Sequence, residues 1–267
     1  MNLARQIQDR VLGRLTGTIT QVETLEPMVS LTFDDGPNPA ATPQLLDILA
    51  SYGAKGTFFM LGSNARRFPQ LLKRVFDEGH TVANHSFDHP SFAYLTSRER
   101  RTQLRLCESA LAPYGQKFFR PPYGNQTLGS WLDAQVLGYQ VVTWNLVAHD
   151  WLDYDAQRLA GNVAEEIAPG SLVLLHDGLN DSLEPAYADR TPMLQAVELL
   201  LEQFCGDYQF VTLPRLLAAG RAIKQSWRMK TAPDFLNRLH YEHGMGHRYS
   251  RSRRVSCLPT GAEGAQL

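Results

Sequence analysis

Two adjacent carboxylates, Asp34 and Asp35, precede Gly36-Pro37, and two imidazoles, His85 and His89, stand four residues apart. Two imidazoles and one carboxylate form a common zinc set that leaves a fourth position for water. A helical turn across the four-residue spacing would put both rings on one side. Taken alone, an H-x3-H pair is most often a surface feature, and Asp-Asp-Gly-Pro is most often a turn. The aspartates, however, close a buried apolar run at 28–33, where two carboxylates are costly unless each has a partner. One of them can bind a metal while the other accepts a proton from the water that zinc activates near neutral pH.

Further groups suit the same chemistry. His176 ends the run SLVLLH and is suited to protonate a leaving amine as a general acid. Arg120, in Arg120-Pro121-Pro122-Tyr123-Gly124, can orient the second aspartate through a bidentate contact and keep it ionised. The Tyr123 backbone N–H, in a proline-stiffened turn, can help hold an oxyanion. Asp150-Trp151 follows another apolar run. Arg190, Asp181, Glu184 and Asp189 border the presumptive groove, where a solvated loop is the expected reading. His240, His243 and His247 have metal-compatible spacing, but lie in a Gly-containing tail and read as incidental.

The elements that must position these groups follow from hydrophobic runs. Strands are predicted at 28–33, 56–61, 81–84, 117–119, 140–146, 171–175 and 209–213. Helices are predicted at 44–52, 68–78, 97–112, 128–137, 156–167, 191–205 and 214–224. Near-continuous apolar strands alternating with helices imply a parallel sheet covered on both faces. In such folds the carboxyl ends of the strands open on one face, where active sites assemble. Every group singled out above, the tail histidines apart, follows a predicted strand or the loop after it.

Bulk properties narrow the class. The chain has 267 residues, 43% hydrophobic and 20% charged, with net charge −1. These values suit a globular α/β protein and give no general electrostatic footprint for nucleic acid. Three scattered cysteines argue against a disulfide framework or a cysteine zinc site. No window reaches the roughly 18 apolar residues of a membrane span, and no signal peptide is visible, so a cytoplasmic enzyme is expected. The domain reading is an N-terminal segment at 1–27, a catalytic domain at 28–220, and a basic, partly disordered extension at 221–267, read as a solvated appendix.

Five segments, in this order, resemble the motifs of the polysaccharide deacetylase family, also called the NodB homology domain or carbohydrate esterase family four. They are Thr32-Phe33-Asp34-Asp35-Gly36, His85-Ser86-Phe87-Asp88-His89, Arg120-Pro121-Pro122-Tyr123-Gly124, Asp150-Trp151 and Leu174-Leu175-His176. The resemblance implies a distorted (β/α) barrel of about seven parallel strands. It implies Asp35, His85 and His89 as ligands of a divalent metal, usually zinc, with cobalt or nickel as alternatives. It further implies Asp34 as base held by Arg120, and His176 as acid adjusted by Asp150. Tyr123 would contribute its amide, and Trp151 and Leu174 would shape an acetyl pocket. One departure is Val147, where many members carry another aspartate. The expected reaction is removal of N-acetyl groups from amino sugars in an N-acetylated glycan. The alternatives are an O-acetyl ester, an acylated lipid-linked sugar or small metabolite, and a non-catalytic glycan-binding protein.

Overall fold

The structure is a computed structural model and describes residues 17–242 apart from 154 and 181–187. Its main sheet contains β2 (Met28–Asp34), β3 (Thr57–Met60), β4 (Thr81–Asn84), β5 (Gly115–Phe119), β6 (Gln140–Val141), β7 (Leu146–Val147), β8 (Leu172–His176) and β9 (Gln209–Phe210). The spatial order is β6-β5-β4-β3-β2-β8-β7, with β9 beside the start of β2. Every ladder is parallel, as expected from the apolar runs and the intervening helices.

Side chains alternate across β2. Val29, Leu31 and Phe33 pack outward with Val173 and Leu175 of β8 and with Leu45, Leu46, Leu49, Val197 and Leu200 from two covering helices, Thr42–Ser51 and Thr191–Phe204. Met28 and Leu172 pack on the opposite face with Phe59, Ala83, Phe118, Leu213 and Leu216. Thr32 and Asp34 share that inner face. The register sets Thr32 beside Leu174 and Asp34 beside His176.

The predicted strand at 140–146 is divided. β6 pairs with β5 and β7 pairs with β8, so the intervening residues cross from one sheet edge to the other. The first strand, β1 (Thr18–Glu23), fills that gap. Ile19 bridges Val142 in parallel, and the Thr143 N–H donates to the Ile19 carbonyl at 2.8 Å. Otherwise unsatisfied backbone groups are thereby paired.

The chain termini of the domain reading need correction. The helix expected at 214–224 ends early, at Leu213–Ala218, and β10 (Arg221–Gln225) pairs antiparallel with β1. Gly220 packs against the Glu23 carbonyl so closely that an added Cβ would stand 2.3 Å from its oxygen. The boundaries at 28 and 220 therefore both fall inside packed structure. Trp227 and Arg228 are partly buried, and Leu236, in the helix Pro233–Glu242, is fully buried. Through Leu236 the extension is not a solvated appendix. His243 and His247 lie outside the described residues, as does the side chain of His240. No helix among the described residues is long and apolar enough to cross a membrane.

Candidate active site

The carboxyl ends of four strands deliver the chemistry. β2 ends in Asp34, with Asp35 next; β4 runs into His85; β5 runs into Arg120; β8 ends in His176. Asp150 arrives from the loop after β7. All five segments singled out in the sequence therefore meet at one edge.

Asp35, His85 and His89 are buried, and their ligand atoms lie within 4.8 Å of one another. Asp35 Oδ1 stands 3.4 Å from His85 Nε2 and 3.2 Å from His89 Nε2. No helical turn makes this meeting, contrary to the spacing argument. The segment is a loop in which Ser86 and His89 take left-handed backbone angles, φ 74° and 65°, and Asp35 does likewise at 71°. Such angles are costly for residues with a Cβ and persist where surrounding contacts hold them. Here Asn84 Oδ1 accepts the Ser86 N–H at 2.8 Å, and the Ser86 hydroxyl accepts the His89 N–H at 3.1 Å.

These residues fit a divalent cation. His85 Nδ1 lies 2.8 Å from the Arg120 carbonyl, which can only accept, so Nδ1 carries a proton and Nε2 is the ring atom available to a cation. Asp35 Oδ1 is buried without a hydrogen-bond partner. Its other oxygen accepts the Asn180 N–H at 2.9 Å. Burial works to raise the Asp35 carboxyl, but His89 and His85 outweigh it and hold the group below the usual carboxylate range. A carboxylate oxygen and imidazole nitrogens facing one point match the donor set of a two-histidine, one-carboxylate metal site.

Asp34 also borders His85. Its Oδ1 accepts from Arg120 Nη1 at 2.7 Å, and its Oδ2 faces His85 Nε2 at 3.8 Å. The Arg120 guanidinium is wholly buried. It also donates to Thr32 Oγ1 at 2.9 Å and to the Thr143 carbonyl at 2.8 Å, with the Phe59 ring 4.1 Å from its carbon.

His176 Nδ1 lies 2.9 Å from Asp150 Oδ1, and the His176 N–H donates to Asp150 Oδ2 at 2.9 Å. Burial works to lower the His176 imidazole, but Asp150 outweighs it and raises the group above 6.5, with Asp35 and Asp34 adding to the effect. Val147 in place of a further aspartate does not separate Asp150 from His176. The Trp151 ring stands 5.2 Å from the His176 ring, nearly perpendicular. Leu174 is buried two residues before His176, on the same side of β8. The Tyr123 ring stands 4.5 Å from His89, and Tyr123 itself has φ 56°.

Four contributors escaped the sequence reading. Arg190, expected on a solvated loop, is 4% exposed and donates to the Asp150 carbonyl at 2.8 Å and carboxylate at 2.9 Å. Its position before Thr191-Pro192 is a helix-start signal and gives no hint of this pairing. Asp189, in contrast, is exposed and accepts from Thr191, while Asp181 and Glu184 lie outside the described residues. The Asn180 backbone and Asn64 side chain hold Asp35, the latter by donating to its carbonyl at 2.8 Å. Asp177 is buried against Gly36 and accepts from the Thr42 hydroxyl. A carboxylate directly after the strand-end histidine was its one visible signal.

Fold and site together define a class: α/β half-barrel hydrolases built around a metal site at the strand carboxyl ends. Similarity to known proteins narrows it. The polysaccharide deacetylase family model matches residues 21–142. A peptidoglycan-N-acetylglucosamine deacetylase of Bacillus cereus is 34% identical over 200 residues, 73% of this chain and 70% of its own length. A chitooligosaccharide deacetylase of a Bradyrhizobium species is 35% identical over 176 residues, 64% of this chain and 80% of its own. Among solved structures, a peptidoglycan N-acetylglucosamine deacetylase in complex with 4-naphthalen-1-yl-N-hydroxybenzamide superposes with a TM-score of 0.71. It is 30% identical, over 80% of this chain and 99% of that one. The chain belongs to the polysaccharide deacetylase family.

Proposed function

We propose that this protein is a divalent-metal-dependent N-deacetylase that releases acetate from N-acetylated amino sugars in a chitooligosaccharide-like or peptidoglycan-like glycan. The carrying observation is the convergence of Asp35, His85 and His89 on one point, with the Asp34 and His176 side chains brought to the same strand edge. The relatives' substrates support the choice of glycan. Zinc is the proposed ion, and cobalt and nickel suit the same donors. The catalytic unit extends from Thr18 to Leu236, because β1, β10 and the chain to Leu236 pack on the sheet or its loops.

In this reading Asp35 Oδ and the Nε2 atoms of His85 and His89 hold the cation. When bound, it polarises the acetyl carbonyl and lowers the pKa of a water. Asp34 accepts the proton of the attacking water at Oδ2, since Arg120 occupies Oδ1. Arg120 keeps that carboxylate charged and fixes its plane. The Tyr123 N–H faces the developing oxyanion. His176, with Nδ1 tied to Asp150, donates from Nε2 to the departing nitrogen. Trp151 and Leu174 enclose the acetyl methyl. An amine leaves only when its nitrogen is protonated, which is the task this reading gives His176.

The test is acetate release, with one defined metal at a time, from chitooligosaccharides, peptidoglycan fragments and acetylxylan. Turnover of the N-acetylated substrates is expected. Release from acetylxylan alone would reassign the enzyme as an O-deacetylase, and glycan binding without turnover under any metal would make it a binding protein.

A further inference from the structure

The turn that carries the Tyr123 amide is strained. Tyr123 and Gly124 are both left-handed, with φ 56° and 64°, and for a residue with a side chain this conformation persists only where surrounding contacts hold it. A side chain at Gly124 has no room, since its Cβ would stand 2.7 Å from Met229 Cε and 2.9 Å from Trp144 Cη2. Asn125 Nδ2 donates to Ser91 Oγ at 2.9 Å and the Tyr123 ring lies against His89, but most of the long-range hydrogen bonds to this turn and its exit come from residues 227–231, far beyond the stretch matched by the family model.

Each residue of the turn's exit is tied to that segment. Trp227 Nε1 donates to the Gly124 carbonyl at 2.8 Å. The Gln126 N–H donates to the Met229 carbonyl at 2.8 Å, and its side-chain amide donates to the Trp227 carbonyl at 2.9 Å. The Thr231 N–H and hydroxyl both donate to Asn125 Oδ1, at 2.8 and 2.9 Å. The Tyr94 hydroxyl donates to the Thr231 carbonyl at 2.7 Å, closing the strap from the other side. The segment enters this position directly from β10.

Trp227 also reaches the second half of the site. Its ring meets Trp144 edge-on at 5.3 Å, and the Arg120 guanidinium lies 5.6 Å from the Trp144 ring centre. Arg120 in turn fixes Asp34. One indole thus contacts the turn that presents the Tyr123 amide and supports the aromatic ring beside the arginine that orients the base.

We propose that Trp227 is a positioning residue for the deacetylation: it holds the Tyr123–Gly124 turn and the Trp144–Arg120 stack in the geometry that the transition state requires. The inference rests on the functional reading given above. Trp227 touches no reacting atom, so its loss should affect the chemical step more than ground-state binding.

The experiment compares Trp227→Phe, which keeps a ring and deletes the N–H, with the wild type. Its readouts are kcat, KM, bound zinc and Tm, with acetate release from chitooligosaccharides as the assay. Removing an oxyanion donor outright costs about 10²- to 10³-fold in kcat; displacing one should cost about tenfold, with KM, zinc content and Tm near wild type. Wild-type kcat in Trp227→Phe overturns the proposal. A fall in zinc content and Tm alongside kcat also overturns it, because that pattern marks a general structural role. Asp34→Asn separates the two levels of argument. If that variant turns over like wild type, the functional reading fails; if it is inactive while Trp227→Phe is unimpaired, only the positioning role fails.

Discussion

Arg120 Nη1 lies 2.7 Å from Asp34 Oδ1, and the pair is sealed from solvent at 0% and 2% exposure respectively. The guanidinium also serves Thr32 and the Thr143 carbonyl. A lysine has one nitrogen and cannot reproduce that fork. Arg120→Met strands a buried carboxylate, and breaking a buried pair in this way costs about 3–5 kcal/mol. Arg120→Met is expected to show a large fall in Tm, and Arg120→Lys a smaller fall with a kcat loss of at least about tenfold. Thermal unfolding and acetate release check both; wild-type kcat in Arg120→Lys would remove Arg120 from the orienting role.

Metal and base separate by substitution. His85→Ala removes a nitrogen whose tautomer is fixed by the Arg120 carbonyl, so zinc content by elemental analysis should collapse together with activity. Asp34→Asn keeps all three proposed ligands, so zinc content should persist while turnover falls by about 10²- to 10⁴-fold, the usual contribution of a general base. Chelation should abolish wild-type activity, and added zinc should restore it. Unchanged zinc in His85→Ala would count against that ligand.

With His176 as the acid, Asp150 is expected to set the alkaline limit of activity. It raises His176 against the opposing effect of burial, and an acid must be protonated to act. Activity should therefore be present below the folded His176 pKa and lost as pH rises through it. Asp150→Asn removes the largest raising charge and leaves burial opposed by Asp35 and Asp34 only, so the alkaline limb of kcat/KM should move to lower pH. A limb that stays in place, measured across the pH profile, would detach Asp150 from this function.

Asp177 predicts a pH dependence of stability. Burial pushes its carboxyl up from 3.8 to about 7, with Asp35 and Asp34 adding to the rise against the Thr42 hydrogen bond. The folded chain then keeps a proton that the unfolded chain releases. The resulting stability is fully present below the unfolded pKa and is lost as pH rises through about 7. In metal-stripped protein, Asp177→Asn should flatten the Tm change between about pH 5 and about pH 8. Equal pH slopes for variant and wild type would be the contrary result.

The sequence by itself determined the parallel α/β plan and the edge on which chemistry collects. Runs such as 28–33 and 171–175 are apolar because both sheet faces are covered, and polar residues begin where each run ends. That is a local pattern, and together with the family motifs it placed Asp34, Asp35, His85, Arg120 and His176. Tertiary structure alone decided the rest. Left-handed angles at Asp35, and at Ser86 and His89 where a helical turn had been expected, run against local preference and persist through neighbouring contacts. The pairing of Arg190 with Asp150 and the seating of Trp227 on Gly124 join residues 40 and 103 positions apart. Neither leaves a trace in hydrophobic periodicity, because periodicity reports which face of an element is covered and not which distant side chain covers it.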